Sequence, residues 1–201
     1  WLYGRILPFY AGLLPKELIA LVDFTFLPAL TFVVGKALIQ AKDYRNLAFV
    51  GLLGWLILAN ACIHAQMLGF SSTSASMGIN IALATIVLMI VFIAGRLFPF
   101  FIERGLKGVI IPRSPMLDNL AIGSTIVFFS LQCAVESGVF LGLVALITAG
   151  LNAWRLARWS IYRITFVPLL WILHLGYGWL ILGFVLTAFA AWDWIPPSLA
   201  L

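Results

Sequence analysis

The chain has two histidines, His64 and His174, and both stand inside apolar segments rather than in loops. Imidazole in hydrocarbon is costly, so it faces the interior of a helix bundle and is paired or functional. Around His174, the residues Trp171, Tyr177 and Gly178 fall on one helical face. Gly178 lies one turn from His174 and presents no side chain, which leaves room for a flat ligand such as a porphyrin against the backbone, with Trp171 and Tyr177 along its edge. The same pattern also suits helix packing through Gly176, Gly178 and Gly183, with His174 hydrogen-bonded to a neighbour. Around His64, Asn60 and Met67 complete an i, i+4, i+7 set on one face. Imidazole and thioether together suit copper, the thioether favouring Cu(I). An Asn–His pair also serves as an interhelical hydrogen bond. At ~1.5 Å rise per residue the two histidines sit roughly 10 Å or more apart in depth, so two separate sites are expected.

Two arginines, Arg5 and Arg96, fall well inside apolar runs, at mid-membrane depth. A charge there calls for a partner: a haem propionate, another anionic ligand, or a carboxylate such as Asp23. Alternatively, Pro8 and Pro99 end the helices early and the arginines snorkel to the surface. Gln132, Cys133 and Glu136 share the depth of His64 and Asn80 and would line one polar pocket, unless Glu136 is a solvated turn residue. Cys62 and Cys133 lie in apolar segments and are expected as free thiols. The sequence has no phosphate-binding glycine loop, no Cys-x-x-Cys and no nucleophile triad.

These residues need elements to hold them, and the composition says which. The chain is 64% hydrophobic and 9% charged over 201 residues, with a mean hydropathy of +1.12. That is far too apolar for a soluble domain, and the long unbroken runs indicate helices rather than barrel strands. The expectation is an all-α, polytopic membrane protein. It has one partial span over 1–14 and six full spans near 16–41, 46–68, 77–103, 116–134, 138–159 and 166–189. Residues 1–201 then form a single transmembrane bundle in the lipid bilayer. The net charge of +5 comes with no basic-aromatic patch for nucleic acid and instead records orientation. Lys36, Lys42, Arg45, Arg104, Lys107, Arg113, Arg155, Arg158 and Arg163 mark one side and Lys16 the other, which places the basic loops in the cytoplasm. Trp1 at the start and Pro196–Pro197–Ser198 near the end suggest the central part of a longer protein. Gly4–Arg5–Ile6–Leu7–Pro8–Phe9–Tyr10 echoes Gly95–Arg96–Leu97–Phe98–Pro99–Phe100–Phe101. The echo fits an inverted repeat of three helices plus three, or is chance in an apolar background.

The run from Gly95 to Phe101, followed by Arg104, resembles the Gly-Arg-(apolar)2-Pro-Phe-Phe-Thr-Arg motif of the NnrS family. Pro168–Leu169–Leu170–Trp171–Ile172–Leu173–His174–Leu175–Gly176–Tyr177 is similar to that family's Pro-Leu-Leu-Trp-(apolar)2-His-Leu-Gly-Tyr-Ala-Trp motif. Asp43–Tyr44–Arg45–Asn46–Leu47 fits its Arg-Asn-Leu loop, and Pro197–Ser198–Leu199–Ala200–Leu201 its lead-in to His-Ala-Leu-Thr. Ile102 replaces the motif Thr and Gly178 the motif Ala. The resemblance implies a bacterial inner-membrane protein about twice this length, associated with haem and copper and with relief of nitric oxide and nitrosative stress. By resemblance, His64 and His174 match family histidines expected to bind metal; the residue readings above add Met67 beside the first and Trp171, Tyr177, Gly178, Arg96 and Arg5 as the expected cofactor environment. The family's further His-containing segments are absent from this chain, so the remaining helices of the full-length protein would complete any site. Two other functions remain compatible with the residues alone: a transporter built on inverted repeats, and a structural subunit whose histidines only bridge helices.

Overall fold

A computed structural model describes residues 14–72, 74–135, 138–159 and 162–199, with Leu2, Ile6 and Phe9. The described residues form six long α-helices and no strand: α1 (Lys16–Gln40), α2 (Leu47–Met67), α3 (Ser74–Gly105), α4 (Pro115–Ala134), α5 (Val139–Trp159) and α6 (Pro168–Ala191). All six are long and apolar enough to cross a bilayer. The chain is therefore an all-helical, multi-pass membrane protein. The expected partial span over 1–14 falls almost wholly outside the described residues, as do Arg5, Glu136 and most of the first half of the Gly-Arg-Pro echo.

The ends of the helices follow local chemistry. Proline occupies the first turn of α4 and α6, where its fixed φ suits the helix and its missing N–H is not needed. α3 starts three residues earlier than the hydropathy suggests, because the Gln66 side-chain carbonyl accepts a 2.8 Å bond from the Ala75 N–H and satisfies an otherwise open helix start. α3 also runs through Pro99 to Gly105. Pro99 removes one backbone bond without ending the span, so Arg96 lies within a continuous helix. At the end of α6, Phe189, Trp192 and Trp194 cluster, with Phe189 and Trp194 stacked at 5.5 Å.

Some polar side chains lie inside while many large apolar ones face outward. Thr125, Thr148, Asn152 and Arg155 are fully or nearly fully buried, while Phe32, Leu169, Ile172 and Trp179 are exposed. The buried threonines return their hydroxyls to carbonyls of their own helices, Thr125 to Ala121 and Thr148 to Val144. Outward faces of this kind match hydrocarbon rather than water.

The chain divides into two compact units, Trp1–Met89 and Ile90–Leu201, with the boundary inside α3. In the first unit, α1 packs on α2 with Gly35 against Val50. The start of α3 comes so close to α2 that a Cβ at Gly78 would press on the Ala59 carbonyl at 2.6 Å. The second unit holds a core of Ala94, Phe98, Ile102, Leu106, Ile111, Trp159, Ile164, Leu170 and Tyr177. The loop after α3 is fastened to it, since Glu103 accepts the Ile111 N–H at 3.2 Å and lies 3.7 Å from the Arg113 guanidinium.

Candidate functional site

In the first unit, α2 carries His64 and α1 carries its partner. The Nε2 of His64 lies 3.1 Å from Oδ2 of Asp23. The Phe24 ring meets the imidazole edge-on at 6.4 Å. The second ring nitrogen, Nδ1, is buried and has no hydrogen-bond partner among the described residues. Asn60 is half-buried one turn before His64, and Met67 is exposed on the following turn. An open apolar groove runs past the imidazole, lined by Ala20, Leu21, Phe24, Ala61, Leu68 and Phe70, with Glu17 at its edge. Asp23 is thus the partner of His64.

In the second unit, α6 carries His174. Its Nδ1 donates to the carbonyl of Leu170, one turn earlier, at 2.8 Å. A carbonyl only accepts, so Nδ1 carries the proton and the lone pair of the neutral ring is on Nε2. That Nε2 is buried and has no partner among the described residues. Phe98 from α3 meets the imidazole edge-on at 4.9 Å. Behind it, Phe98 stacks on Trp159 at 4.7 Å and touches Tyr177 at 5.5 Å, so an aromatic wall fixes one side of the histidine. On the next turn of α6, a Cβ added at Gly178 would meet nothing within 4 Å. Of the other expected cofactor residues, Tyr177 is buried and Trp171 is 43% exposed. Arg96 is exposed, with its guanidinium 4.9 Å from the Phe92 ring centroid. It precedes Phe98 by two residues and so leaves α3 on a different side.

The most heavily buried charge among the described residues is one that loop-charge counting assigns to the cytoplasmic side. Arg155 is inside α5 and 2% exposed. Its Nε donates to Asp118 of α4 at 2.6 Å and its Nη1 to the Val91 carbonyl of α3 at 2.7 Å. Tyr177 Oη stands 3.4 Å from Nη1 and donates to the Asn152 amide oxygen. The guanidinium also lies over the Trp159 ring at 4.9 Å. Every helix of the second unit thus contributes to one polar cluster, which adjoins the aromatic wall beside His174. The sequence signal for it was available: Asn152, Arg155 and Trp159 repeat at helical spacing on one face of α5.

Two imidazoles with one nitrogen held and the other buried and bare have the donor arrangement of metal ligands. Each stands alone, since no three His, Cys, Asp or Glu converge on a metal position among the described residues. Cys62 and Cys133 are free thiols. Gln132 is half-buried, and Cys133 and Asn80 are exposed. A family model described as NnrS protein matches residues 1–201. No curated protein and no solved structure matches the chain.

Proposed function

The chain belongs to the NnrS family, and from that premise we propose that it is part of a haem- and copper-binding protein of the bacterial inner membrane that protects against nitric oxide. The observation that carries this reading is the bare, buried Nε2 of His174, whose opposite nitrogen is committed to the Leu170 carbonyl. Metal-bound histidines have their other N–H engaged in this way, which fixes the tautomer and the ring plane. His174 would hold haem iron, and the side-chain-free turn at Gly178 leaves space beside it. Haem supplies an iron that binds nitric oxide and exchanges electrons. Phe98, itself backed by Tyr177, holds the imidazole in place, and Trp171 is a candidate for the macrocycle edge. His64, with Met67 one turn on, suits copper. The remaining ligands would come from the rest of the full-length protein.

A visible absorption spectrum of the intact protein tests the haem assignment. His174→Ala and His174→Gln should both lose or shift the Soret band at unchanged expression, because an amide replaces a hydrogen bond but is a poor haem ligand. Full haem content in the Gln variant would make His174 a packing residue.

A further inference from the structure

The two histidines offer opposite ring atoms. His174 gives its proton-bearing Nδ1 to a backbone carbonyl of its own helix and leaves Nε2 bare. His64 does the reverse: Nε2 faces the Asp23 carboxylate at 3.1 Å and Nδ1 is the buried, unpartnered atom. A carboxylate accepts hydrogen bonds, so the neutral His64 ring carries its proton on Nε2 and its lone pair on Nδ1.

We propose that Asp23 is the positioning residue of a cation site at His64, and that the cation is held through Nδ1. The proposal rests on the metal-binding reading of His64 given above and adds the ring atom, the positioning group and the kind of occupant. Nδ1 is bonded to the ring carbon that carries Cβ, so it lies close to the backbone of α2. A planar macrocycle on that atom would run into the helix, whereas a single ion would not. Nε2 of His174 is the ring's far atom and has no such constraint. The two histidines are thereby sorted, with His174 open to a macrocycle and His64 to a bare ion. The carboxylate behind the ring makes it a stronger donor and offsets the positive charge in an apolar surrounding. Met67, one turn along α2, offers a soft second donor to a cuprous ion. Asp23 is on α1, so this arrangement exists only while α1 and α2 are docked.

The test uses the purified intact protein, loaded with cuprous ion against a chromophoric chelator, and solid-state 15N NMR of histidine-labelled, metal-free protein. His64→Ala should abolish the cuprous site and identifies the His64 resonances by difference. In the metal-free wild type those resonances should report a proton on Nε2. Asp23→Leu should lose this single tautomer and lower cuprous affinity by roughly ten- to a hundredfold, with haem content at His174 unchanged as the check on folding. Asp23→Asn keeps an acceptor for the Nε2–H and should fall between the two. Wild-type affinity in Asp23→Leu, with binding lost in His64→Ala, overturns the role of Asp23 and leaves the metal reading of His64 intact. A proton on Nδ1 in the metal-free wild type also overturns the proposal. Unchanged binding in His64→Ala removes both the proposal and the metal reading on which it rests.

Discussion

Gly95 and Arg155 occupy one space between them. A β-carbon at Gly95 would overlap the Arg155 guanidinium and come within 3.3 Å of the Asp118 carboxylate. The Gly-Arg pair at 95–96 therefore has a packing meaning: its glycine is the opening through which an arginine of α5 reaches α3.

Replacing Gly95 with Ala should accordingly displace Arg155. The cost of overpacking alone is about 1–3 kcal/mol, and a guanidinium pushed off Asp118 and the Val91 carbonyl adds to it. A lower midpoint of thermal unfolding in detergent is the expected result. The conformationally similar change Gly150→Ala, with no neighbour within 4 Å, should have little effect.

Removing one member of the buried ion pair should be worse than removing both. Arg155→Met strands Asp118 and removes one donor each from the Val91 carbonyl and the Tyr177 hydroxyl, and breaking such a pair costs about 3–5 kcal/mol when it is fully buried. Asp118 is 32% exposed, which reduces that figure. The double variant Arg155→Met, Asp118→Leu should recover much of the loss, and a double-mutant cycle on unfolding midpoints measures the coupling. No recovery would mean that the arginine acts mainly through Val91, Tyr177 and the Trp159 ring.

Gly178 separates cofactor access from helix packing. Nothing lies within 4 Å of a β-carbon there, so Gly178→Leu should leave thermal stability nearly unchanged. If the space belongs to haem, the same variant should lose most of the Soret absorbance. Retained haem with Leu at 178 would place the macrocycle elsewhere around His174.

Membrane orientation has a direct check along a single helix. Ser74 and Lys107 flank α3, which at ~1.5 Å per residue is long enough to cross the ~30 Å hydrocarbon core. In a background lacking Cys62 and Cys133, Ser74→Cys should label from the periplasmic side and Lys107→Cys only after permeabilisation. Labelling of both from one side would sink the orientation read from the basic loops.

Hydropathy and breakers located the six helices to within about three residues because membrane spans are set by composition over long windows. The largest difference, the early start of α3, comes from the Gln66 side chain of a different helix, which no window over α3 contains. The candidate site was legible only by residue type. An imidazole in an apolar run announces itself, so His64 and His174 stood out. Their partners did not. By residue type Asp23 suits an arginine as well as a histidine, and its pairing with His64 depends on how α1 docks against α2. Arg155 looked like a loop cation because it lies near the end of its span, and only the opposed Asp118 and the absent side chain of Gly95 bring it inside. Local spacing puts Asn152, Arg155 and Trp159 on one face of α5, but which helices that face meets is a tertiary choice that spacing does not record.

The Phe189, Trp192 and Trp194 cluster works as a depth gauge for α6. Indole rings settle at the boundary between headgroups and acyl chains, so a cluster of this kind is expected to set one end of the helix at a membrane surface. His174 precedes Trp192 by 192 − 174 = 18 residues, roughly 27 Å along the axis at ~1.5 Å per residue. With α6 along the membrane normal, the imidazole would then lie toward the opposite leaflet. A residue inserted between 179 and 188 would slide the ring along the membrane normal and turn it about the axis by roughly 100°.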